Sequence, residues 1–389
     1  MPLANDFHDK NEESNCYPLN LMICKNCFHC QLSIAINPNI LFKNYKYISG
    51  TNCTIVKFFE YNADFITGYK EKGNILDIAC NDGTQLDSFK KRGWNTYGVD
   101  PATNLYETSS KNHKIVCDFW NIDVAKKLPI MNVILAQNVF AHTKYVDEFL
   151  CACKLIMDSN TSLFIQTSQK NMIINNEFDT IYHEHISFFN AKSMNILVSR
   201  NGLVLNRVIE NDIHGTSYIF EIKLSKDASI YNIDDIIQQE HILYDTSTYE
   251  HFSKNSMNSL INLTTTINTY KNNDYKCIGY GASAKGQTVL CYGNIQLDYI
   301  IDESPLKIGL FSPKLNIPIV DLNHFIEDTS DKYLIVLLAW NFAEEIISKL
   351  THLKKNIKLV KYFPTIEIID CTNMDKNLID TPYKTYAEA

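Results

Sequence analysis

Three stretches of the chain carry residue types whose spacing could do chemistry. The first lies between Asn74 and Asp100. Ile75, Leu76, Ile78 and Ala79 form a short apolar run suited to a buried parallel strand. Cys80-Asn81-Asp82-Gly83-Thr84 breaks it with turn chemistry, Leu86 and Phe89 recur at helical spacing, and Gly93 can close the helix. Thr96 to Val99 is the next predicted strand, and it ends on Asp100. An acid at that tip can accept the ribose hydroxyls of an adenosine ligand, while the turn offers N–H groups at a helix N-terminus. A pyrophosphate-binding turn needs glycines at G-x-G-x-x-G, and this one has a single glycine flanked by Asp77 and Asp82. Those carboxylates would repel a pyrophosphate and attract the ammonium and sulfonium of S-adenosylmethionine. The competing reading is an ordinary doubly wound domain with a polar first turn.

The second stretch is Tyr182-His183-Glu184-His185. Imidazole, carboxylate and phenol side by side suggest acid–base work. The histidines are two apart, not the four that a helical zinc site needs, so the expectation is an extended segment or a polar loop on the sheet edge. Asp212-Ile213-His214-Gly215-Thr216 adds another histidine further on. The third stretch, Cys277-Ile278-Gly279-Tyr280-Gly281-Ala282-Ser283-Ala284-Lys285-Gly286, again reads as strand, glycine-rich turn and helix. Its glycines, Ser283 and Lys285 suit a phosphate held by N–H groups and one cation. Near the start, Cys24-Lys25-Asn26-Cys27 could grip one side of a zinc ion, with Cys16, His29 and Cys53 as irregular completions. A reduced, unmetallated pair is the simpler expectation.

The elements that must position these groups follow in order. Leu41 to Ser49 is expected as a strand or lid, and Val56 to Gly68 as a helix. Ile115 to Trp120 should be a third strand with its exit, where Asp118 could meet the adenine. Val133-Ile134-Leu135-Ala136 is a buried central strand, followed at its carboxyl end by Gln137-Asn138-Val139-Phe140-Ala141-His142. Leu163 to Thr167 is a fifth strand. Residues 226–270 read as a helical connector. Leu297 to Asp302 and Tyr333 to Ala339 are strands of a second Rossmann-like half. The expected architecture is therefore α/β, with a small N-terminal domain (1–55), a Rossmann-like class I methyltransferase domain (56–225), the connector, and a Rossmann-like C-terminal domain (271–389). Within 389 residues, 45% hydrophobic and 12% aromatic content indicate globular domains. A net charge of −8 with no basic block argues against a general nucleic-acid binder. No apolar run is long enough to span a membrane and the polar N-terminus is unlike a signal peptide. Twelve scattered cysteines are expected as reduced thiols in a cytoplasmic protein.

Taken together and in order, these motifs resemble the nucleotide-sugar C-methyltransferases, which methylate a carbon, usually C3, of a 4-keto-deoxysugar carried on a nucleoside diphosphate. The residues concerned are Pro2-Leu3-Ala4-Asn5, Tyr17-Pro18-Leu19, the C-x-x-C, NDGT at 81–84, Gly98 to Ala102, Asn138 to His142, Tyr182 to His185, His214-Gly215, GYGASAKG at 279–286 and Trp340-Asn341. The resemblance implies S-adenosylmethionine as methyl donor, held by Asp77, Ala79, Asn81, Asp82, Gly83, Asp100, Pro101, Asp118, Gln137 and Asn138. It implies His185 as base, held by Glu184, with Tyr182 as donor to the enolate or proton relay and His142 as a further contact to the sugar. Tyr45 or Tyr47 would close over the sugar; His214, Tyr280, Ser283 and Lys285 would complete substrate binding. The chain is expected to act as a monomer or weak homo-oligomer. A departure is that the family's earlier C-x-x-C, which completes a structural zinc site, has no counterpart before Pro2-Leu3, so no metal is expected with assurance. Competing readings are a sugar O-methyltransferase and a non-catalytic relative that binds nucleotide sugars.

Overall fold

The structure is a computed structural model that describes residues 1–10, 12–45, 47–51, 53–167, 171–211, 217–225, 233–353 and 355–371. The chain divides into two compact units, one formed by Pro18–Phe252 and the other by Met1–Tyr17 with Ser253–Ala389. The expected 1–55 segment is thus split, its first seventeen residues packing with the C-terminal unit.

The Pro18–Phe252 unit opens with a hairpin of β1 (Leu21–Ile23) and β2 (Cys30–Leu32), which β8 (Ser187–Phe188) extends into a three-stranded sheet. Among the described residues of 41–49 there is no strand. Asn37 caps a short helix α1 (Pro38–Phe42) instead, with Pro38 in its first turn where its missing N–H costs nothing. Next come α2 (Cys53–Thr67), β3 (Asn74–Ile78), α3 (Thr84–Lys91), β4 (Asn95–Val99), α4 (Thr103–Ser109), β5 (Lys114–Val116), α5 (Ile122–Ala125), β6 (Val133–Gln137), α6 (Val146–Leu155), β7 (Ser162–Thr167), α7 (Ala191–Arg200), β9 (Val204–Asn211) and β10 (Ser217–Lys223). The main sheet has the order β5-β4-β3-β6-β7-β10-β9. Strands β3 to β7 are parallel, and β10 inserts antiparallel between β7 and β9. The third strand is shorter than expected, stopping at Val116.

Both faces of this sheet are covered, which explains its continuous apolar strands. Ile75, Val133, Leu135, Phe164 and Ile219 pack against Ala63 and Ile66 of α2 and Phe89 of α3. Leu76, Ile78, Ile134, Ala136, Leu163 and Ile165 pack on the other face against Leu150 and Cys153 of α6 and Met194 and Val198 of α7. Asn190 and Ser193 start α7 with reciprocal capping bonds.

Two further helices are described, α8 (Ile233–Gln239) and α9 (Thr246–Lys271). In the C-terminal unit, β11 (Lys276–Tyr280), α10 (Ala284–Gly293), β12 (Ile300–Ile301), β13 (Ile319–Val320), α11 (Leu322–Glu327), β14 (Tyr333–Leu337), α12 (Ala343–Thr351), β15 (Ile357–Lys361) and β16 (Glu367–Asp370) form a second α/β fold. Its sheet order is β13-β12-β11-β14-β15-β16, parallel except for β16. The N-terminal residues join this unit through Leu3, Ala4 and Phe7, all buried, and a bridge between His8 and Phe311.

Candidate active site

The candidate donor site lies where β3 turns into α3. Ala79, Asn81 and Gly83 all adopt left-handed backbone, with φ of 63°, 52° and 86°. Alternate left-handed residues fold the chain back sharply enough to bring the amides of Ala79 and Cys80 onto the carbonyl of Val99 (2.7 and 3.3 Å). Two of these positions are normally a glycine's task, and the sequence supplies only Gly83, so the tightness of the turn was hidden. A Cβ on Gly83 would lie 3.0 Å from the His113 ring.

Asp100, at the tip of β4, accepts from the amides of Asn81 and Ala102, each at 2.8 Å. Its carboxyl is pushed above the usual range, chiefly by burial and against the pull of those amides. Asp77, buried in β3, is pushed well up by burial and then by Asp100 and Asp82. Buried carboxylates held this way favour a cationic ligand.

Gln137 and Gln166 pair across β6 and β7, and Leu135 pairs with Asp77 across β3 and β6. Strand alternation therefore puts Asp77, Gln137 and Gln166 on one face. The amide atoms of both glutamines, Oδ1 of Asn138 and the hydroxyl of Thr167 are buried without a hydrogen-bond partner among the described residues. Such groups are costly unless a polar ligand meets them. Side-chain donors and acceptors beside buried acids fit the amino-acid end of S-adenosylmethionine. Pro101 is half-buried, and Asp118 is exposed with its carboxylate accepting from the amide of Phe119 (2.8 Å).

The acid–base cluster sits on loops at the same unit's β6 end. Tyr182 to His185 is a turn, not an extended segment: the His185 amide donates to the Tyr182 carbonyl at 2.9 Å. That bend puts Tyr182 and His185 together rather than on opposite faces. The Tyr182 hydroxyl lies 2.9 Å from His185 Nε2, and the rings are 4.1 Å apart. His185 Nδ1 lies 2.7 Å from the Thr180 carbonyl. A carbonyl only accepts, so Nδ1 carries the proton and Nε2 presents a lone pair. The ring is oriented by a backbone group, Thr180, while the Glu184 carboxylate accepts from the Tyr45 hydroxyl at 3.1 Å. The bonds seen for the expected Glu184–His185 pair are thus to Tyr45 for the carboxylate and to Thr180 for the ring. His142, on the turn after β6, has its ring centre 5.1 Å from that of His185 and stacks on Phe42 at 5.6 Å. Burial pushes its pKa down to about 4, and its Nε2 has no partner among the described residues. His183 turns elsewhere, with Nε2 3.0 Å from the Pro18 carbonyl.

Of the two candidate tyrosines, Tyr45 reaches this cluster. Burial, followed by the neighbouring Glu184 and Tyr182, holds its hydroxyl well above the usual range. Tyr182 is raised likewise, by burial and then by Glu184 and Asp179. Tyr47 leaves 38% of its surface exposed, yet its hydroxyl end is desolvated and pushed up to about 12, with Asp82 adding to the effect. His214 lies outside the described residues.

In the C-terminal unit, Gly281 has φ of 91°, and a Cβ there would come within 2.6 Å of Cβ of Ala339. Ser283 caps α10: its hydroxyl accepts from the Gly286 amide (3.0 Å) and donates to the Leu338 carbonyl (2.8 Å). That commits it internally. Lys285 lies over the Trp340 ring, 4.3 Å from its centre. The Tyr280 hydroxyl donates to Glu303, and Asp302 accepts from the Ala282 amide. Sequence reasoning missed Lys307, whose ammonium donates to the Ala282 carbonyl at 2.8 Å.

Cys24 and Cys27 lie at the tip of the β1–β2 hairpin, where the amide of Phe28 donates to the Cys24 carbonyl at 2.9 Å. His29 packs on Phe189 with ring centres 4.6 Å apart. Among the described residues no group of three or more His, Cys, Asp or Glu is placed to hold a metal ion.

Comparison with known proteins gives the class of the chain. Residues 51–208 match a family profile described as a methyltransferase domain, and residues 212–364 one described as the C-methyltransferase C-terminal domain. The C-methyltransferase NovU of Streptomyces niveus is 26% identical over 361 residues, covering 89% of this chain and 85% of its own. A ubiquinone biosynthesis O-methyltransferase of Rhodopseudomonas palustris is 29% identical over 119 residues, 29% of this chain and 46% of its own. Among solved structures, a SAM-dependent methyltransferase from Archaeoglobus fulgidus covers 43% of this chain and 94% of its own at 16% identity, with a TM-score of 0.35. The chain is an S-adenosylmethionine-dependent methyltransferase. Its match beyond residue 208, and along most of its length to NovU, makes it a C-methyltransferase.

Proposed function

We propose that the substrate is a nucleoside-diphosphate-linked 4-keto-deoxysugar, methylated at C3 through an enolate. The observation that carries this reading is the His185 ring, fixed by Thr180 so that Nε2 is basic and engaged with the Tyr182 hydroxyl. A carbon beside a ketone is acidified by that ketone, so C-methylation needs a base, a donor to the developing oxyanion, and alignment. The bound donor supplies an electrophilic methyl group. Tyr182 Oη takes the C3 proton as its own proton passes to His185 Nε2, and the C–H electrons move onto O4. Because burial disfavours a free phenolate, the two transfers are coupled rather than stepwise. His142 is neutral at working pH, and Nε2–H can donate to O4. Held by Asp77, Asn81, Asp82 and Asp100, the donor would deliver that methyl to the C3 carbon, the electrons of the S–CH3 bond staying on sulfur and those on O4 reforming the ketone. For the C-terminal unit, we assign phosphate recognition to the amides opening α10 and to Lys285, with Tyr280 beside them. Ser283 supports the turn as its cap.

The test is mass spectrometry of the protein with S-adenosylmethionine and a panel of nucleotide-linked 4-keto-6-deoxysugars, run in parallel in deuterated water. A gain of one methyl on carbon is expected, with solvent deuterium entering C3 when the donor is withheld. His185→Ala should lower turnover by about 10²–10⁴-fold while donor binding survives. A methyl on oxygen by product NMR, or turnover of sugars lacking the ketone, would move the assignment to O-methylation. Donor binding with no transfer to any sugar would count against the substrate reading.

A further inference from the structure

Two asparagines join the donor side of the cleft to the segment that carries Tyr45. Asn104, in the first turn of α4, holds the Tyr45 backbone at both ends of one residue: Oδ1 accepts from the Tyr45 amide at 3.1 Å and Nδ2 donates to the Tyr45 carbonyl at 2.9 Å. The Lys43 carbonyl accepts from the amide and hydroxyl of Thr103 beside it (3.2 and 3.1 Å). On the other side of residue 46, Asn81 donates to the Tyr47 carbonyl (3.0 Å) and accepts from the Ser49 amide (2.9 Å), while Asp82 accepts from the Gly50 amide (2.9 Å). Asn81 and Asp82 belong to the donor turn, and Asn104 follows Asp100 by four residues. Asp100 itself binds the amides of Asn81 and Ala102. The backbone leading to and from Tyr45 is thus tied to the two chain segments that frame the donor. An amide side chain that both donates and accepts imitates a strand partner, fixing the direction of the tyrosine as well as its place.

We propose that Asn104 is a positioning residue: it sets the Tyr45 hydroxyl against Glu184 and couples occupation of the donor site to assembly of the sugar-side cluster. This rests on the substrate reading above only for its kinetic arm. The donor rigidifies the Asn81–Asp82 turn and the Asp100 tip, and the segment bonded to both becomes ordered with them. Tyr45 then waits in place before the sugar enters, so the donor should bind first.

The test compares wild type, Asn104→Ala and Asn104→Asp. Amide hydrogen exchange is read by mass spectrometry over peptides containing Tyr45 and, separately, over those containing Asn81 to Thr84. In wild type, S-adenosylmethionine should protect both. In Asn104→Ala the second stays protected, the first loses most of its protection, donor Kd stays within threefold, and kcat/KM for the ketosugar falls at least tenfold. Asn104→Asp keeps the acceptor but loses the donor, and should fall between. Equal weakening of donor Kd and kcat/KM would place Asn104 in the donor site and overturn the proposal. Unchanged exchange and kinetics would overturn it as well. Loss of the exchange coupling in a wild type that methylates no ketosugar would be two separate failures; intact coupling in such a protein would leave the proposal standing and remove only the substrate reading.

Discussion

At the scale of single residues, the proposed donor site would trade stability for binding. Asp77 and Asp100 hold protons more tightly in the folded, ligand-free protein than unfolded, because burial penalises their charged forms. A folded pKa above the unfolded one means that stability falls as pH rises from the ordinary carboxylate range through the raised values. Asp77→Asn should therefore raise the melting temperature of the ligand-free protein near neutral pH and flatten its pH dependence. It should also weaken S-adenosylmethionine binding at least about tenfold, since a charged partner is replaced by a neutral one. Differential scanning fluorimetry and calorimetric titration over a pH series read both effects. The same carboxyls must lose protons to hold a cation, so donor affinity should decline as the pH is lowered. At the acid–base cluster, Tyr182→Phe keeps the His185 ring on the Thr180 carbonyl but removes the relay atom. It should cost about 10²-fold or more in kcat with little change in donor Kd.

At the scale of elements, turns decide the outcome. Gly281 has a left-handed φ of 91°, and the added methyl of Gly281→Ala would sit 2.6 Å from Cβ of Ala339. Neither neighbour is the far end of a flexible chain. The substitution should destabilise the C-terminal unit by about 1–3 kcal/mol, seen as a lower denaturation midpoint. Turns also mark where the sequence stopped being legible. The apolar runs at 75–79, 133–136 and 333–339 announced their strands, because a strand buried on both faces needs no partner to be recognised. Asp100 and Gly83 marked the candidate donor site through one tip acid and one turn glycine. The left-handed backbone at Ala79 and Asn81 was invisible, since those residue types do not require it. His185's partner was invisible for a different reason: Thr180 contributes a carbonyl, which every residue possesses. The two-residue spacing of Tyr182 to His185 left an extended segment and a polar loop both open, and the bond from the His185 amide to the Tyr182 carbonyl closes it into a turn. Gln166 could have been found, as a polar residue ending an otherwise apolar strand at the sheet's carboxyl edge.

At the scale of the whole molecule, sequence order and spatial order differ at the N-terminus. The expected leading domain ends near residue 55, ahead of the predicted Val56–Gly68 helix, yet Met1–Tyr17 groups with Ser253–Ala389 and Pro18–Phe252 forms the other unit. Local patterning carries no signal of a partner some 300 residues away; the burial of Leu3, Ala4 and Phe7 and the bridge between His8 and Phe311 reveal it. Phe7 is 2% exposed and lies under the Lys307 ammonium, 5.2 Å from its ring centre. Side chains of that size contribute about 1.5–3 kcal/mol each when fully buried. Removal of residues 1–17 should therefore lower the calorimetric transition of the C-terminal unit by many degrees, while methyl-donor binding, proposed here for residues of the other unit, should be retained.

That same bridge between His8 and Phe311 sets a timetable for the nascent chain. At the usual pace of synthesis, roughly 5–20 residues per second, the first strand partner of residue 8 leaves the ribosome about 15–60 s after residue 8 itself. Through that interval Leu3, Ala4 and Phe7 are exposed ahead of an already folding methyltransferase unit. They are an early handle for a chaperone, and the last part of the chain's beginning to find its place.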